Sequence, residues 1–214
     1  MNLEDMLVKE WLWIWQQDNW PDFIWDDRLL DAPLRAVYQL QGRLLGSIQI
    51  VAEDESLQSE MDALLQNAIN TSAIEGEHLN AESVRSSLAK RLGLNHAGIS
   101  ASTPQTDGIV ALLLDVTHKY DDVLTTERLY QWHRALFPAG QSGLIPIRVG
   151  DMRGKESMQV VSGPIGKQTV HFEAPPRQGL EHELDTFVRW FNNSKSDAAV
   201  DPLLRAGIAH LLSL

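Results

Sequence analysis

Apolar residues recur every three or four positions along most of the chain, which is the spacing of an α-helix with one buried face. The clearest stripe lies in the segment 56–74 and consists of Leu57, Met61, Leu64 and Ala68. Similar spacing predicts further helices that begin near Asp31, Asn80, Ile109, Thr125 or Thr126, Leu180 and Pro202. The pattern therefore predicts a mainly α fold.

One segment departs from helical spacing, and its sequence is MQVVSGPIGKQTVHFEAPP. Its β-branched and aromatic residues lie on both sides of the turn-forming residues 163–166, which is typical of a β-hairpin. We therefore predict one β-hairpin, over about residues 158–173, within a helical protein.

The polar stretch NHAGISASTPQ, which begins at Asn95, is the best candidate for a domain boundary. It divides the chain into a tryptophan-rich N-terminal domain, residues 1–95, and a second domain, residues 96–214. The loop is short, so we expect the two halves to pack together. Alternation of Trp11, Trp13 and Trp15 predicts a short extended piece, whose aromatic rings form either a small core or an interaction surface.

Composition narrows the class of protein. The 214 residues include no cysteine, which excludes disulfides and thiolate metal sites, and a formal charge of −11 argues against a nucleic-acid partner. No apolar run approaches the ~18 residues of a membrane span, and the acidic N-terminus does not resemble a signal peptide. We expect a soluble, cytoplasmic protein with no nucleic-acid or membrane partner.

The sequence contains none of several common metal-binding, phosphate-binding and nucleophile motifs. The seven histidines form no HExxH motif and no pair at i,i+4 spacing, and no phosphate-binding GxxxxGK[ST] or GxSxG nucleophile motif occurs. The residues by themselves therefore predict no catalytic residue and no metal site.

The stretch TSAIEGEHLN raises a specific question. The stripe of the preceding helix continues, at the same spacing, to Thr71 and then to Glu75, and Gly76 follows as a typical C-terminal stop. A carboxylate directed at a protein interior requires a cationic or hydrogen-bonding partner, because burial of an unpaired charge is costly. The alternative is a surface carboxylate at the end of a helix, where the spacing of the apolar stripe no longer marks the buried face.

Several stretches together resemble the Fic (filamentation induced by cAMP) family, whose members typically transfer AMP from ATP to hydroxyl groups of target proteins. WIWQQDNWPDFIWDD and QGRLLGSI resemble the N-terminal domain that precedes many bacterial Fic cores. TSAIEG matches the inhibitory pattern [S/T]xxxE[G/N], and the predicted hairpin resembles the Fic flap. With DPLLRAGIAHLLSL, these stretches cover nearly the whole chain.

The resemblance implies a Fic-like helical bundle in which Glu75 is inhibitory. In the family this glutamate pairs with an arginine of the catalytic motif and occupies the place of the ATP γ-phosphate. Thr71 would support the helix, and Gly76 would let the chain turn away. The flap would bind a target protein by main-chain pairing, and its docking residues would be Val160, Val161, Ser162, Thr169, Val170 and His171.

The family's catalytic motif, HxFx[D/E]GN[G/K]R, does not occur here: His133 is followed by RALF and His171 by FEA. In the family, that motif supplies the general base, the Mg²⁺-binding acid and the phosphate-binding loop. We therefore expect a Fic protein cut short. ATP and Mg²⁺ would serve the intact protein and not this chain alone, and a homodimer is a further expectation.

Two non-enzymatic interpretations remain. The chain could be a regulatory or dimerisation module that supplies its inhibitory helix to a complete Fic partner. It could also be a peptide-binding module that uses only the flap.

Overall fold

The computed structural model describes residues 12–48, 53–94, 101–142, 145–164 and 166–212. Most of these residues are helical, which confirms the mainly α fold. The α-helices, in chain order, are α1 (Asp27–Ile48), α2 (Glu53–Ile74), α3 (Ala81–Arg91), α4 (Pro104–His118), α5 (Thr126–Leu136), α6 (Leu180–Asn193) and α7 (Pro202–Leu212).

Two short antiparallel strand pairs accompany the helices. Strands β3 (Gln159–Ser162) and β4 (Thr169–Glu173) form the predicted hairpin. Strands β1 (Gln141–Ser142) and β2 (Ile145–Pro146) form a second pairing that the sequence did not predict. Strands of two residues are too short to show the alternation by which a strand is recognised in a sequence.

Side-chain caps explain where several helices begin. The Asn80 side chain accepts a hydrogen bond from the Ser83 amide at 2.9 Å, and that of Thr125 accepts one from the Arg128 amide at 3.1 Å. Both caps confirm predicted helix starts. At α4 the Thr103 hydroxyl accepts from the Thr106 amide at 3.2 Å. This helix therefore begins at Pro104, five residues before the predicted start.

Helix α1 also begins earlier than predicted, at Asp27 instead of near Asp31. The Asp26 carboxylate accepts a hydrogen bond from the Arg28 amide at 3.0 Å, and the Asp26 carbonyl accepts one from the Leu29 amide at 3.0 Å. These bonds satisfy amides that a helix start otherwise leaves unpaired. Pro33 consequently lies in the second turn of the helix.

The chain forms two compact units: unit 1 contains residues 1–34 and 152–214, and unit 2 contains residues 35–151. The division falls within α1. The predicted domain boundary between residues 95 and 96 lies in 95–100, outside the described residues. The helices on either side of that segment, α3 and α4, pack against each other within unit 2.

The core of unit 2 lies between α2, α3 and α4. Helix α2 contributes Met61, Leu64 and Ala68 of the predicted stripe. Leu57, the first residue of that stripe, is 47% exposed and lies outside the core. The other two helices contribute Val84, Leu88 and Val110. A buried polar contact joins α3 to α4, where the hydroxyls of Ser83 and Thr106 lie 3.0 Å apart.

In unit 1, helices α6 and α7 are joined through one arginine. The Arg205 guanidinium lies 4.2 Å from the centre of the Phe191 ring and donates a hydrogen bond to the Ser194 hydroxyl at 2.9 Å. Ile208 is buried in the next turn of α7. The predicted apolar run continues to residues 213 and 214, which lie outside the described residues.

Candidate functional site

The first candidate segment is the end of α2, which a glycine terminates. Gly76 has a left-handed backbone with φ of 80°. The Gly76 amide donates to the Ala73 carbonyl at 3.1 Å, and the Glu77 amide donates to the Ser72 carbonyl at 2.8 Å. This pair of bonds is a Schellman motif, and it confirms the prediction that Gly76 stops the helix.

Glu75 lies on the surface, which is the second of the two alternatives that the sequence left open. The buried face of α2 ends at Ala68, and both Thr71 and Glu75 are exposed. In the last turn of α2, Thr71, Ala73 and Ile74 are exposed and Ser72 is half-buried. A hydrated carboxylate needs no partner. Among the described residues none forms a hydrogen bond or ion pair with the Glu75 side chain.

Thr71 has a local contact with the same helix. Its hydroxyl lies 3.2 Å from the Asn67 side-chain oxygen, to which it donates a hydrogen bond. The three predicted inhibitory residues therefore lie together at the exposed end of one helix. Whether they inhibit an enzyme stays a prediction.

The second candidate segment is the β3–β4 hairpin. Its turn contains Gly163 and Gly166, with φ of 100° and 86°, and the Lys167 amide donates to the Pro164 carbonyl at 2.9 Å. A side chain at Gly163 would bring its Cβ to 2.7 Å from the Lys167 carbonyl oxygen. These glycines thus explain the position of the turn, although Ile165, between them, lies outside the described residues.

A β-bulge interrupts the hairpin beside His171. Val160 is opposite Phe172, whereas the next residue, Val161, is opposite Val170, so His171 is the extra residue on β4. The His171 Nε2 atom lies 2.6 Å from the Ser162 hydroxyl. This cross-strand pair was not predicted, because a bulge position cannot be read from the alternation of the two strands.

The hairpin exposes most of the residues predicted to bind a target. Every residue of β3 is exposed, as are the first three of β4. These include the apolar side chains of Val160, Val161 and Val170. A two-stranded sheet has unpaired main-chain groups along both outer edges, which is the feature that an added extended segment uses.

Two tryptophans hold the base of the hairpin within unit 1. The Trp15 indole donates a hydrogen bond to the Glu173 carbonyl at 2.7 Å, and the Trp13 ring contacts the Phe172 ring edge to face at 5.9 Å. The alternation of tryptophans suggested an aromatic cluster but did not identify this partner. The predicted extended piece is wrong at Ile14–Gln16, which is a 3₁₀ turn, and Trp11 lies outside the described residues.

The turn forms because Gln16 closes it locally. The Gln16 side chain accepts a hydrogen bond from the Trp13 amide at 2.8 Å, and the Gln16 amide donates to the Trp13 carbonyl at 2.9 Å. These reciprocal bonds stabilise the turn over an extended backbone.

A further polar cluster in unit 2 surrounds Asp115. Its carboxylate accepts hydrogen bonds from the Arg128 Nε and the Trp132 indole, both at 2.8 Å, and forms an ion pair with Lys119 at 3.0 Å. Burial alone would raise the pKa of Asp115, but the hydrogen bonds outweigh it and lower the pKa from 3.8 to about 2. Arg128 also binds the carbonyls of Asp115 and Lys119 at the end of α4. The cluster therefore joins α5 to the C-terminus of α4.

We expect Trp132→Phe to destabilise unit 2 by about 1.5 kcal/mol at neutral pH, because the ring remains while the donor to a charged acceptor is lost. The Asp115 pKa is depressed in the folded state, so this stabilisation is present above pH 3.8 and is lost as the pH falls toward 2. Urea unfolding at pH 7 and at pH 3 measures the effect. The control is Trp25→Phe, which removes the hydrogen bond that a more exposed indole donates to Asp27. An equal loss of unfolding free energy in both variants would contradict the stabilising role of the Trp132–Asp115 hydrogen bond.

No group of histidine, aspartate or glutamate side chains in the described ranges could hold a metal ion. In the same ranges no helix is both long enough and apolar enough to cross a membrane.

One family model, described as a domain of unknown function (DUF4172), matches residues 13–94. The match begins at Trp13, includes α1 to α3, and ends one residue before the end of the predicted N-terminal domain. None of the curated proteins matches the chain.

Proposed function

We propose that this chain is part of a Fic-type protein adenylyltransferase whose activity is restrained by Glu75. The observation that carries the proposal is the state of the Glu75 side chain. It lies at the last turn of α2, fixed by the Gly76 stop, and its carboxylate is exposed without a described partner. A carboxylate presented in this way is available to pair with an arginine.

The physical basis of the restraint is competition for one cation. A carboxylate and a phosphate both accept paired hydrogen bonds from a guanidinium group, so an arginine bound to Glu75 does not bind the ATP γ-phosphate. Displacement of Glu75 would release that arginine for productive ATP binding. In the intact protein, ATP would be the AMP donor and Mg²⁺ would neutralise its phosphates.

The hairpin supports a role in target binding. Its exposed valines, and outer strand edges that pair with no other strand of the described residues, suit an extended segment of a target protein that adds a third strand. The docking residues in this proposal are those of β3 and β4 from Val160 to His171. The Trp13 and Trp15 contacts would keep the base of the hairpin in place while its tip binds.

The proposal is tested first by the coding DNA beyond the Leu214 codon. We expect an in-frame continuation that encodes a motif of the form HxFx[D/E]GN[G/K]R. A stop codon at that place would remove the enzyme and would leave the regulatory interpretation.

The regulatory alternative rests on the same observation, the exposed Glu75 carboxylate without a described partner. In that case a complete Fic enzyme supplies the arginine, and this chain supplies the acid. Addition of the 214-residue chain should then lower the labelling activity of such an enzyme, and Glu75→Gly should abolish the effect. Inhibition that survives the substitution would exclude this alternative.

A further inference from the structure

Two consecutive side chains of α5 hold the backbone of Gly150. The Gly150 amide donates a hydrogen bond to the His133 Nδ1 atom at 2.9 Å, and the Gly150 carbonyl accepts one from the Arg134 guanidinium at 3.2 Å. Gly150 has a left-handed backbone with φ of 65°, and an added Cβ atom would meet the Arg134 Cγ atom at 2.6 Å. A residue with a side chain would therefore be pushed away from α5.

Gly150 belongs to residues 147–151, the last residues of unit 2 before the chain enters unit 1 at Met152. At the start of this segment the Ile147 amide donates to the Gly140 carbonyl at 3.0 Å. At its end, the bonds from His133 and Arg134 attach the chain to α5. All of these contacts lie within unit 2 and involve no residue of unit 1.

The bond from the Gly150 amide defines the protonation state of the His133 ring. A backbone N–H group can only donate, so the Nδ1 atom accepts and carries no proton. The single proton of the neutral ring is then on Nε2. The Phe137 ring packs against the imidazole edge to face, with the ring centres 5.1 Å apart. The contact with Gly150 therefore requires the neutral imidazole.

Protonation of Nδ1 would turn this acceptor into a donor. Two N–H groups would then face each other, and the imidazolium would lie beside the Arg134 guanidinium, which binds the same glycine. Histidine is the side chain whose charge ordinarily changes between about pH 5 and 8. The bound state of Gly150 takes up fewer protons than the released state, so binding is favoured at higher pH and is lost as the pH falls.

The charges around this contact come from α5, from α4, which packs against α5, and from the segment itself. Most are engaged elsewhere: Arg134 pairs with Glu127, and His118 with Glu60. The remaining groups are Asp107, Asp115 and Lys119 on α4, Arg128 and Tyr130 on α5, and Arg148 and Asp151 in the segment. Among the described residues, none of these groups forms a hydrogen bond or an ion pair with the His133 ring. No described carboxylate is thus bound to the imidazole to keep a proton on it.

From these contacts we propose that the His133–Gly150 contact is a pH-sensitive switch. The neutral imidazole holds Gly150 against α5, and the imidazolium releases Gly150 together with the residues by which the chain leaves unit 2. The signal is acidification, and the element that responds is the segment 147–151. The inference rests on contacts within unit 2 and is independent of the proposed function.

Hydrogen exchange of the Gly150 amide in the full chain, measured by nuclear magnetic resonance as a protection factor, tests the switch. Between about pH 7.5 and about pH 5.5 we expect the protection factor to fall at least about fivefold, the factor that one hydrogen bond contributes. His133→Asn should abolish this fall, because the asparagine side-chain oxygen takes the place of Nδ1 and does not titrate.

The matched control is His118→Asn, which replaces a histidine of α4 that contacts Glu60. This variant should retain the full fall in the Gly150 protection factor. A protection factor that is the same at both pH values in the parent, or that falls equally in His133→Asn, would overturn the proposal.

The nitrogen chemical shifts of the His133 ring provide a test in the parent protein, so this test does not depend on the folding of a variant. At about pH 7.5 we expect an unprotonated Nδ1 and a proton on Nε2. As the pH falls, protonation of Nδ1 should coincide with a change in the chemical shift of the Gly150 amide. A proton on Nδ1 at about pH 7.5, or protonation that leaves the Gly150 amide unchanged, would refute the switch.

Discussion

Substitution of Gly108 by alanine is expected to lower the free energy of unfolding by about 3 kcal/mol, although the change adds only one methyl group. Gly108 lies in α4, where a Cβ atom would meet the Ala135 carbonyl oxygen of α5 at 1.8 Å. The obstacle is backbone, so no side-chain rotation relieves the clash. The two helices would have to separate, and the nearby Asp115 cluster joins the same pair.

The matched control is Gly42→Ala in α1, where an added Cβ meets no atom within 4 Å. Alanine is the better helix former, so this variant should be more stable than the parent by roughly 0.5–1 kcal/mol. Calorimetry or urea unfolding of both variants measures the contrast. Equal stability of the two variants would show that α4 and α5 do not approach as closely as the structure indicates.

The helices could be predicted because their signals are local. The stripe of α2 and the caps of Asn80 and Thr125 depend on residues within one or two turns. The structure contains both caps and buries the stripe from Met61 onward, although not Leu57. The close approach at Gly108 could not be predicted. A single glycine within the helical pattern does not indicate which element approaches it from a distant part of the chain.

In the candidate segments, too, features set by local sequence were predicted and contacts between distant segments were not. The Gly76 stop and the hairpin follow from turn chemistry and were predicted, whereas the bulge at His171 and the base contacts of Trp13 and Trp15 depend on pairing between distant segments. For Glu75 the sequence left an interior and a surface position open, and the structure shows the surface position. Helical spacing identifies the residues that share a face but does not fix how far along the helix the neighbouring elements extend.

Substitution of Glu75 by glycine is the other change for which we expect a large effect. In the protein encoded by the complete reading frame, we expect Glu75→Gly to raise automodification with ATP and Mg²⁺ at least about tenfold, because a freed phosphate-binding arginine stabilises productive ATP by more than 1.4 kcal/mol. Glu75 follows the last helical residue and is exposed, so its replacement should leave the fold intact. Equal unfolding curves for the parent and the variant check this point.

Glu77→Gly is the matched control, since Glu77 is an exposed acid two residues further along. It removes the same charge outside the TSAIEG pattern and should leave labelling at the parental level. An increase with both variants would indicate a general effect of charge on ATP binding, which would remove the specific role of Glu75.

The restraint by Glu75 is best measured by labelling these three proteins with ATP radioactive at the α-phosphate, in the presence of Mg²⁺. We expect strong labelling of Glu75→Gly and weak, equal labelling of the parent and Glu77→Gly. Equal labelling of all three proteins, or none in any of them, would refute the role of Glu75 as the inhibitory residue.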